Sequence, residues 1–233
     1  MSSVRTRYTD SIAFFGNTTP EALVKEFGSP LYVYNEAVLR ERCRELLALS
    51  RRPGFRVCFS GKANANLALL RIIRETGLCA DAMSPGELAL QLAAGFKPED
   101  LVYVCNNVSV EEMKNAVEHN LLVSLDSLDQ VAVFGKHFPG RKVMVRLNPG
   151  IGAGHHQKVV TGGSKTKFGV RGDEFGELRA ILDRHSLKLA GLNQHIGSLF
   201  MEADAYLEAA QWLLDTAKSF SGLEVIDFGG GFG

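Results

Sequence analysis

Seven short β-rich runs alternate with longer stretches of helical spacing along this 233-residue chain. Such alternation predicts a parallel sheet whose strands are joined by helical crossovers. The runs are almost continuously apolar, which predicts that both faces of the sheet are buried, as in a barrel or a doubly wound sheet. The predicted strands span 56–59, 79–83, 101–104, 121–125, 142–147, 189–195 and 223–228.

Local signals mark several of the intervening helices. Gly77 is a natural C-terminal stop for a helix over 67–74. Ser84-Pro85-Gly86-Glu87 has the form of a capping box with proline at the first helical position, and Ser109 with Glu112 repeats that box. The longest amphipathic stretch is 204–220.

The number of strand–helix units indicates which parallel fold the chain adopts. An eight-stranded (β/α) barrel typically needs about 250 residues, and this chain stops after what we interpret as strand seven. We therefore expect an incomplete (β/α)8 barrel of about seven strand–helix units over 36–233. Residues 1–35 precede it, and Pro30 to Tyr34 are predicted to form an extra strand outside the barrel.

Composition narrows the function classes. Twenty-six basic residues balance 26 acidic ones, so no broad electrostatic field favours nucleic acid or an anionic membrane. No apolar run approaches the roughly 20 residues of a membrane span, and residues 1–30 lack a signal-peptide pattern, so we expect a cytoplasmic protein. The four cysteines form no Cys-x-x-Cys pair, which argues against zinc and disulfides; Cys58, Cys79 and Cys105 lie in apolar runs and are predicted to be buried.

Functional groups of parallel α/β folds gather at the carboxyl ends of the strands. Lys62 follows the first strand, where a lysine can point into the barrel mouth and attack an aldehyde. His195 and Ser198 follow strand six; an imidazole there could stack on a flat aromatic cofactor, and a serine suits phosphate oxygens. Taken alone, each of these residues is also compatible with a purely structural role.

A glycine run completes this rim. Gly229, Gly230 and Gly231 follow strand seven, and consecutive glycines can expose amides as an anion-binding nest. Barrels often bind phosphate on the loops after strands seven and eight. A lysine nucleophile, a stacking group and a phosphate nest on one rim match the needs of a phosphorylated aldehyde cofactor.

Three charged residues lie near the same rim. Asp81 and Arg146 sit within apolar strands, where an ionised group needs a partner, and Lys62 or His195 would supply one for Asp81. Glu87 is already accounted for as the capping-box residue. Their roles therefore stay open between structure and function.

These motifs resemble the fold-type III pyridoxal-phosphate (PLP) decarboxylases, from about Phe27 to Gly233. The similar segments are 27–34, 59–64 around the lysine, 84–96, 195–198 and 227–233, although the common lysine motif has alanine and valine before the lysine. The resemblance implies a barrel of the alanine racemase and decarboxylase class. The stretch 146–169 resembles the members that act on diaminopimelate.

The resemblance also implies residue roles and a reaction. Lys62 would hold PLP as a Schiff base and His195 would stack on its ring. Ser198 and the glycine run 229–231, chiefly the amides of Gly230 and Gly231, would hold the phosphate, while Asp81, Glu87 and Arg146 would orient groups around the ring. The implied activity is decarboxylation of the amino acid meso-2,6-diaminoheptanedioate to L-lysine and CO2 by a homodimer, with neither nucleic acid nor membrane as partner.

The chain departs from the family pattern at its end. Members continue with strand eight, a Glu-Pro-Gly-Arg motif and a C-terminal β domain, to which the N-terminal strand belongs. We therefore expect a fragment or one half of a split protein. Three alternatives remain: a non-catalytic decarboxylase-like regulatory protein, a one-domain PLP-carrier barrel, and a decarboxylase of the same fold acting on ornithine, arginine or a siderophore precursor.

Overall fold

One seven-stranded parallel sheet organises the chain in the computed structural model, which describes residues 12–16, 18–104, 106–152 and 166–232. Each strand pairs with the next one in sequence, so the order never reverses. A doubly wound sheet contains such a reversal, whereas a barrel does not. The strands are β1 Cys58–Ser60, β2 Cys79–Ala82, β3 Leu101–Val104, β4 Leu122–Leu125, β5 Lys142–Arg146, β6 Lys188–Asn193 and β7 Val225–Asp227.

Helices connect the strands. They are α1 Pro20–Phe27, α2 Glu36–Leu47, α3 Leu67–Glu75, α4 Pro85–Ala93, α5 Val110–Glu118, α6 Leu128–His137, α7 Phe175–Arg184 and α8 Asp204–Ala217. Short 3-10 turns lie at Ile12–Phe15, Gly61–Ala63, Pro98–Asp100 and Gly172–Glu174. Within the described ranges, no helix combines the length and apolarity that crossing a membrane requires.

The two predicted capping boxes have different outcomes. At α5 the reciprocal pair is complete: Ser109 Oγ accepts from the Glu112 amide, and the Glu112 carboxylate accepts from the Ser109 amide. At α4 only half of the box forms. Ser84 Oγ accepts from the Glu87 amide, but Glu87 Oε2 accepts from the amide of Met83, one residue before the cap, and not from that of Ser84. The capping interpretation of Glu87 is therefore incomplete.

The main core lies between the outer face of the sheet and the helices. Ala80 and Ala82 belong to this core, so the intervening Asp81 faces the barrel interior. Burial raises the pKa of Asp81 to about 6, and the charge of Asp227 on β7 adds to that shift. A carboxylate on the last strand can act on the second strand only if the sheet curls, which confirms the incomplete barrel.

Two expectations were wrong. Residues 31–35 form no strand, because none of the described strands lies alongside to complete a hydrogen-bonded ladder; Tyr32 is 85% exposed. Cys58 is exposed rather than buried, since β1 pairs on one side alone within the described sheet. The division of the chain at residue 35 remains a prediction.

Candidate active site

Lys62 lies in the 3-10 turn that follows β1 directly, and its side chain is exposed at the barrel rim. The preceding Gly61 is buried against α4 and β2. A Cβ at Gly61 would come within 2.6 Å of Gln91 Nε2 and 3.0 Å of the Asp81 carbonyl oxygen. Since a larger residue has no room, glycine holds the lysine turn tightly against the neighbouring strand.

The interior carboxyl group of Asp81 lies beneath this turn. Ser60 is the register partner of Asp81, and its hydroxyl donates to Asp81 Oδ1 at 3.0 Å. Burial raises the pKa of Asp81 to about 6, while the Ser60 hydrogen bond and the Lys62 charge act in the opposite direction. Lys62 or His195 was the predicted partner of Asp81. The hydrogen-bond partner is instead the Ser60 hydroxyl, and the Lys62 charge also acts on the carboxyl group.

Two side chains of α4 support the turn from one side. Glu87 Oε2 accepts from the Met83 amide at 3.0 Å and lies 3.2 Å from the place of a Cβ on Gly61. Gln91, which is fully buried, donates through Nε2 to the Asp81 carbonyl at 2.5 Å. The first turns of α4 therefore fix the Lys62 loop in place.

The imidazole of His195 is partly buried, two residues beyond the end of β6. Burial lowers the pKa of His195 to about 4, and the positive charges of Arg146 and Lys62 lower it further. His195 is consequently neutral at physiological pH. The effect of the Lys62 charge on His195 indicates that the ends of β1 and β6 face the same side of the barrel.

The guanidinium of Arg146 is buried at the end of β5. Nη2 donates to the His195 carbonyl oxygen at 3.0 Å, and the guanidinium carbon lies 4.8 Å from the centre of the Phe168 ring. Burial lowers the pKa of Arg146 to about 10, opposed by the carboxylates of Asp126 and Asp227, so the group stays charged at neutral pH. Arg146 thereby ties the backbone of the histidine loop to the sheet.

The glycine run after β7 packs against the loop that carries His195 and Ser198. Gly229 and Gly231 have φ angles of 71° and 104°, respectively. A Cβ on Gly229 would lie 2.2 Å from the Gln194 carbonyl oxygen, and a Cβ on Gly231 would lie 2.0 Å from the Gly197 carbonyl oxygen. Only glycine satisfies both restrictions. At Gly230 the described residues place no atom within 4 Å of a Cβ, so this part of the loop faces open space.

Backbone groups of Gly229 and Gly231 form hydrogen bonds within the protein. The Gly229 amide donates to Asp227 Oδ1 at 2.8 Å, within its own turn. The Gly231 carbonyl accepts from the Phe200 amide at 3.2 Å, which joins the two loops. Gly229 and Gly231 therefore shape the loop, and Gly230 borders the space that a ligand could occupy.

Sequence reasoning missed three residues of this rim. Asp227 interrupts an apolar strand, which is the same signal that identified Asp81, and it was passed over. Burial raises the pKa of Asp227, opposed by the Gly229 amide and the Arg146 charge. Ser60 and Gln91 carry no local signal, because their importance depends on which residues lie opposite them. Residues 153–165, part of the stretch that resembles the diaminopimelate-specific members, lie outside the described residues.

The fold and the rim together define a parallel (β/α) barrel domain that presents a lysine, a neutral histidine and a glycine-lined loop at one mouth. The family model described as pyridoxal-dependent decarboxylase, pyridoxal binding domain, matches residues 37–233. The chain therefore belongs to the pyridoxal-dependent decarboxylases, and the cofactor that this domain implies is PLP.

Individual relatives agree with this assignment. Diaminopimelate decarboxylase of Methanothermobacter thermautotrophicus is 36% identical over 226 residues, covering 94% of this chain and 53% of that protein. A crystal structure of diaminopimelate decarboxylase superposes with a TM-score of 0.81 and 32% identity, over 91% of this chain and 50% of that one. The Helicobacter pylori enzyme solved with L-lysine gives the same TM-score at 25% identity, over 90% and 55% of the two chains. The chain thus spans about half the length of the relatives that it matches.

Proposed function

We propose that this protein decarboxylates meso-2,6-diaminoheptanedioate to L-lysine and CO2, with PLP bound at the barrel mouth. The observation that carries the proposal is that the charge of Lys62 acts on both Asp81 and His195, which lie on β2 and in the loop after β6. The substrate is taken from the relatives, since curated proteins called diaminopimelate decarboxylase are 30–36% identical to the chain.

The residues present fit PLP. The Lys62 amine is the covalent anchor for the aldehyde, and the neutral imidazole of His195 can lie against a pyridine ring without charge repulsion. We assign the phosphate to the hydroxyl of Ser198 and the amides of Gly230 and Gly231, and the open space around Gly230 supports this assignment. Gly229 contributes by permitting the close turn, and Arg146 by adding positive charge.

The remaining groups control orientation and protons. When bound, PLP accepts the electron pair that the departing carboxylate leaves behind. The carboxyl group of Asp81, whose pKa is raised to about 6, can exchange a proton near neutral pH. Glu87 and Gln91 support the turn that carries Lys62 against β2.

Cofactor attachment can be tested separately from turnover. The protein is mixed with PLP, its absorbance is recorded, and the product is reduced with borohydride and mapped by mass spectrometry. We expect a visible absorbance band and a pyridoxyl group on Lys62. The band should vanish in Lys62→Ala and persist in Lys97→Ala, because Lys97 is an exposed lysine paired only loosely with Glu99 at 4.0 Å. Modification of another lysine would contradict the anchor.

Turnover is then tested by release of CO2 from meso-2,6-diaminoheptanedioate, with L-ornithine and L-arginine as competing substrates. The reaction proposed here requires release from the first substrate and formation of L-lysine. A lysine-dependent absorbance band without CO2 would favour the regulatory alternative or the fragment expected from the sequence. Release from ornithine or arginine instead would assign a different decarboxylase of the same family.

We further propose that the full-length form of this protein is a homodimer and that the protein lies in the cytoplasm. Both statements derive from the family resemblance and from the sequence. Sedimentation velocity of the full-length protein would measure the mass of the assembly, and fractionation of cells would measure its location. A monomer at micromolar concentration would contradict the first statement.

A further inference from the structure

Cys58 and Cys79 face each other across the first two strands. They are register partners in the parallel pair β1–β2. Neighbouring strands lie about 4.8 Å apart, which falls within the Cα separation of about 4.4–6.8 Å that a disulfide requires. Two residues further along, their neighbours Ser60 and Asp81 are bonded on the interior face, so both cysteines point to that same face.

The two thiols differ in their readiness to react. The hydrogen bond from the Cys58 thiol and the charge of Arg56 lower the pKa of Cys79 to about 7, against the effect of burial. Asp100 Oδ1 lies 3.9 Å from Cys79 Sγ and opposes this shift, but Arg56 Nη1 lies 3.7 Å from the same carboxylate. The hydrogen bond from Cys58 and the charge of Arg56 thus favour the thiolate form of Cys79, and a thiolate is the form that peroxides oxidise.

Exposure also differs between the cysteines. Cys79 is only 7% exposed, while Cys58 beside it is exposed to solvent. Cys43 is 3% exposed and lies on α2, so it offers a buried thiol of the same chain for comparison.

We propose that Cys58 and Cys79 form a reversible, peroxide-sensitive disulfide site at the base of the strands that carry Lys62 and Asp81. The Cys79 thiolate attacks one oxygen of hydrogen peroxide, which gives a sulfenic acid and releases hydroxide. The Cys58 sulfur then attacks the Cys79 sulfur, and the hydroxyl group leaves as water with the Cys58 proton. In total, two thiols lose two hydrogen atoms and one peroxide becomes two waters.

The test measures the bond itself. The protein is treated with an equimolar amount of hydrogen peroxide, remaining thiols are alkylated, and the product is digested without reduction. Trypsin isolates Cys58 in residues 57–62, and a glutamate-specific protease cuts after Glu87 to separate Cys79 from Cys105. We expect one linked pair of peptides that holds Cys58 and Cys79 and that disappears on reduction with dithiothreitol.

Variants assign the order of events. In Cys58→Ser, the Cys79 sulfenic acid has no partner and should be captured by dimedone. In Cys79→Ser, Cys58 should stay alkylatable, and Cys43→Ser should form the linked peptides as the unaltered protein does. Alkylation of both cysteines after peroxide, or a link from either one to Cys105, would overturn the proposal. The experiment needs no cofactor, so its outcome is independent of the proposed decarboxylation.

Discussion

The hydroxyl of Ser60 donates to Oδ1 of Asp81 at 3.0 Å, across the two parallel strands that lead to the lysine turn. This bond favours the ionised carboxylate, whereas burial favours the protonated form. Its removal in Ser60→Ala should move the pKa of Asp81 further above 6. A carboxyl-carbon NMR titration would measure the shift, with Ser50→Ala as control, because the Ser50 hydroxyl bonds only locally to the Arg52 amide. An unchanged pKa would show that the hydrogen bond has no influence on the carboxyl group.

Asp81 should also make stability depend on pH. Its pKa is raised from an unfolded value near 3.9 to about 6 in the folded protein. The folded state therefore binds the proton more tightly, and the free energy of unfolding falls as pH rises through this window. Asp81→Asn should remove that loss and stabilise the protein at pH 7 by about 1–3 kcal/mol, a range reduced for partial exposure. Urea unfolding at pH 4, 5, 6 and 7 would test the difference; equal pH slopes in both proteins would refute it.

His195 should act in the opposite direction in nearly the same window. Its pKa falls from an unfolded value near 6.5 to about 4, so the unfolded state binds its proton more tightly. The stability from this group is complete above pH 6.5 and is lost as pH falls towards 4. His195→Phe keeps a flat ring without a titrating group and should weaken acid destabilisation. Asp81 and His195 have opposite effects on the free energy of unfolding, so together they should give the unaltered protein little net dependence on pH. In Asp81→Asn the free energy of unfolding should rise with pH, and in His195→Phe it should fall with pH.

Arg146 should hold down the pKa of His195. Burial is the main cause of the low value, and the Arg146 charge is the next. Arg146→Met keeps most of the buried volume but removes the charge and the bond to the His195 carbonyl oxygen. We expect the imidazole pKa to rise, as measured by proton NMR of its ring hydrogens, and the protein to lose roughly 1–3 kcal/mol of stability from the unpaired carbonyl. Arg141→Met, which removes an exposed arginine at the opposite end of β5, should change neither quantity.

The general architecture could be predicted from the sequence because its signals are local. All seven strands lie within two residues of the predicted bounds, and α3 ends as Gly77 indicates. The alternation of apolar strands with capped helices predicts the parallel sheet, because the same pattern recurs in each strand–helix unit. The barrel could be separated from the doubly wound sheet only by the pairing order, which depends on contacts between distant segments.

The sequence indicates which positions border the candidate site, but it does not indicate which side chains bond to one another there. The strand-end rule predicts Lys62 and His195 at one mouth, and in the structure they follow β1 and β6, respectively. The partner of Asp81 is Ser60, and the second support of the lysine turn is Gln91; both depend on register and on helix packing. Glu87 has a valid local interpretation as a cap, and tertiary structure overrides it by directing the carboxylate to the Met83 amide.

The glycine loop separates a packing role from a binding role at neighbouring positions. At Gly231 a methyl group would lie 2.0 Å from the Gly197 carbonyl oxygen, and the φ angle of 104° adds strain. Gly231→Ala should therefore lower the free energy of unfolding by about 2 kcal/mol or more and weaken PLP binding as a consequence.

At Gly230 a methyl group meets open space, so Gly230→Ala should leave stability within about 0.5 kcal/mol of the unaltered protein. If the Gly230 amide holds the phosphate, this variant should still bind PLP more weakly, because the added methyl group occupies the space beside that amide. Urea unfolding and titration of the absorbance band with PLP would measure both effects, and unaltered PLP affinity in Gly230→Ala would place the phosphate elsewhere on the rim.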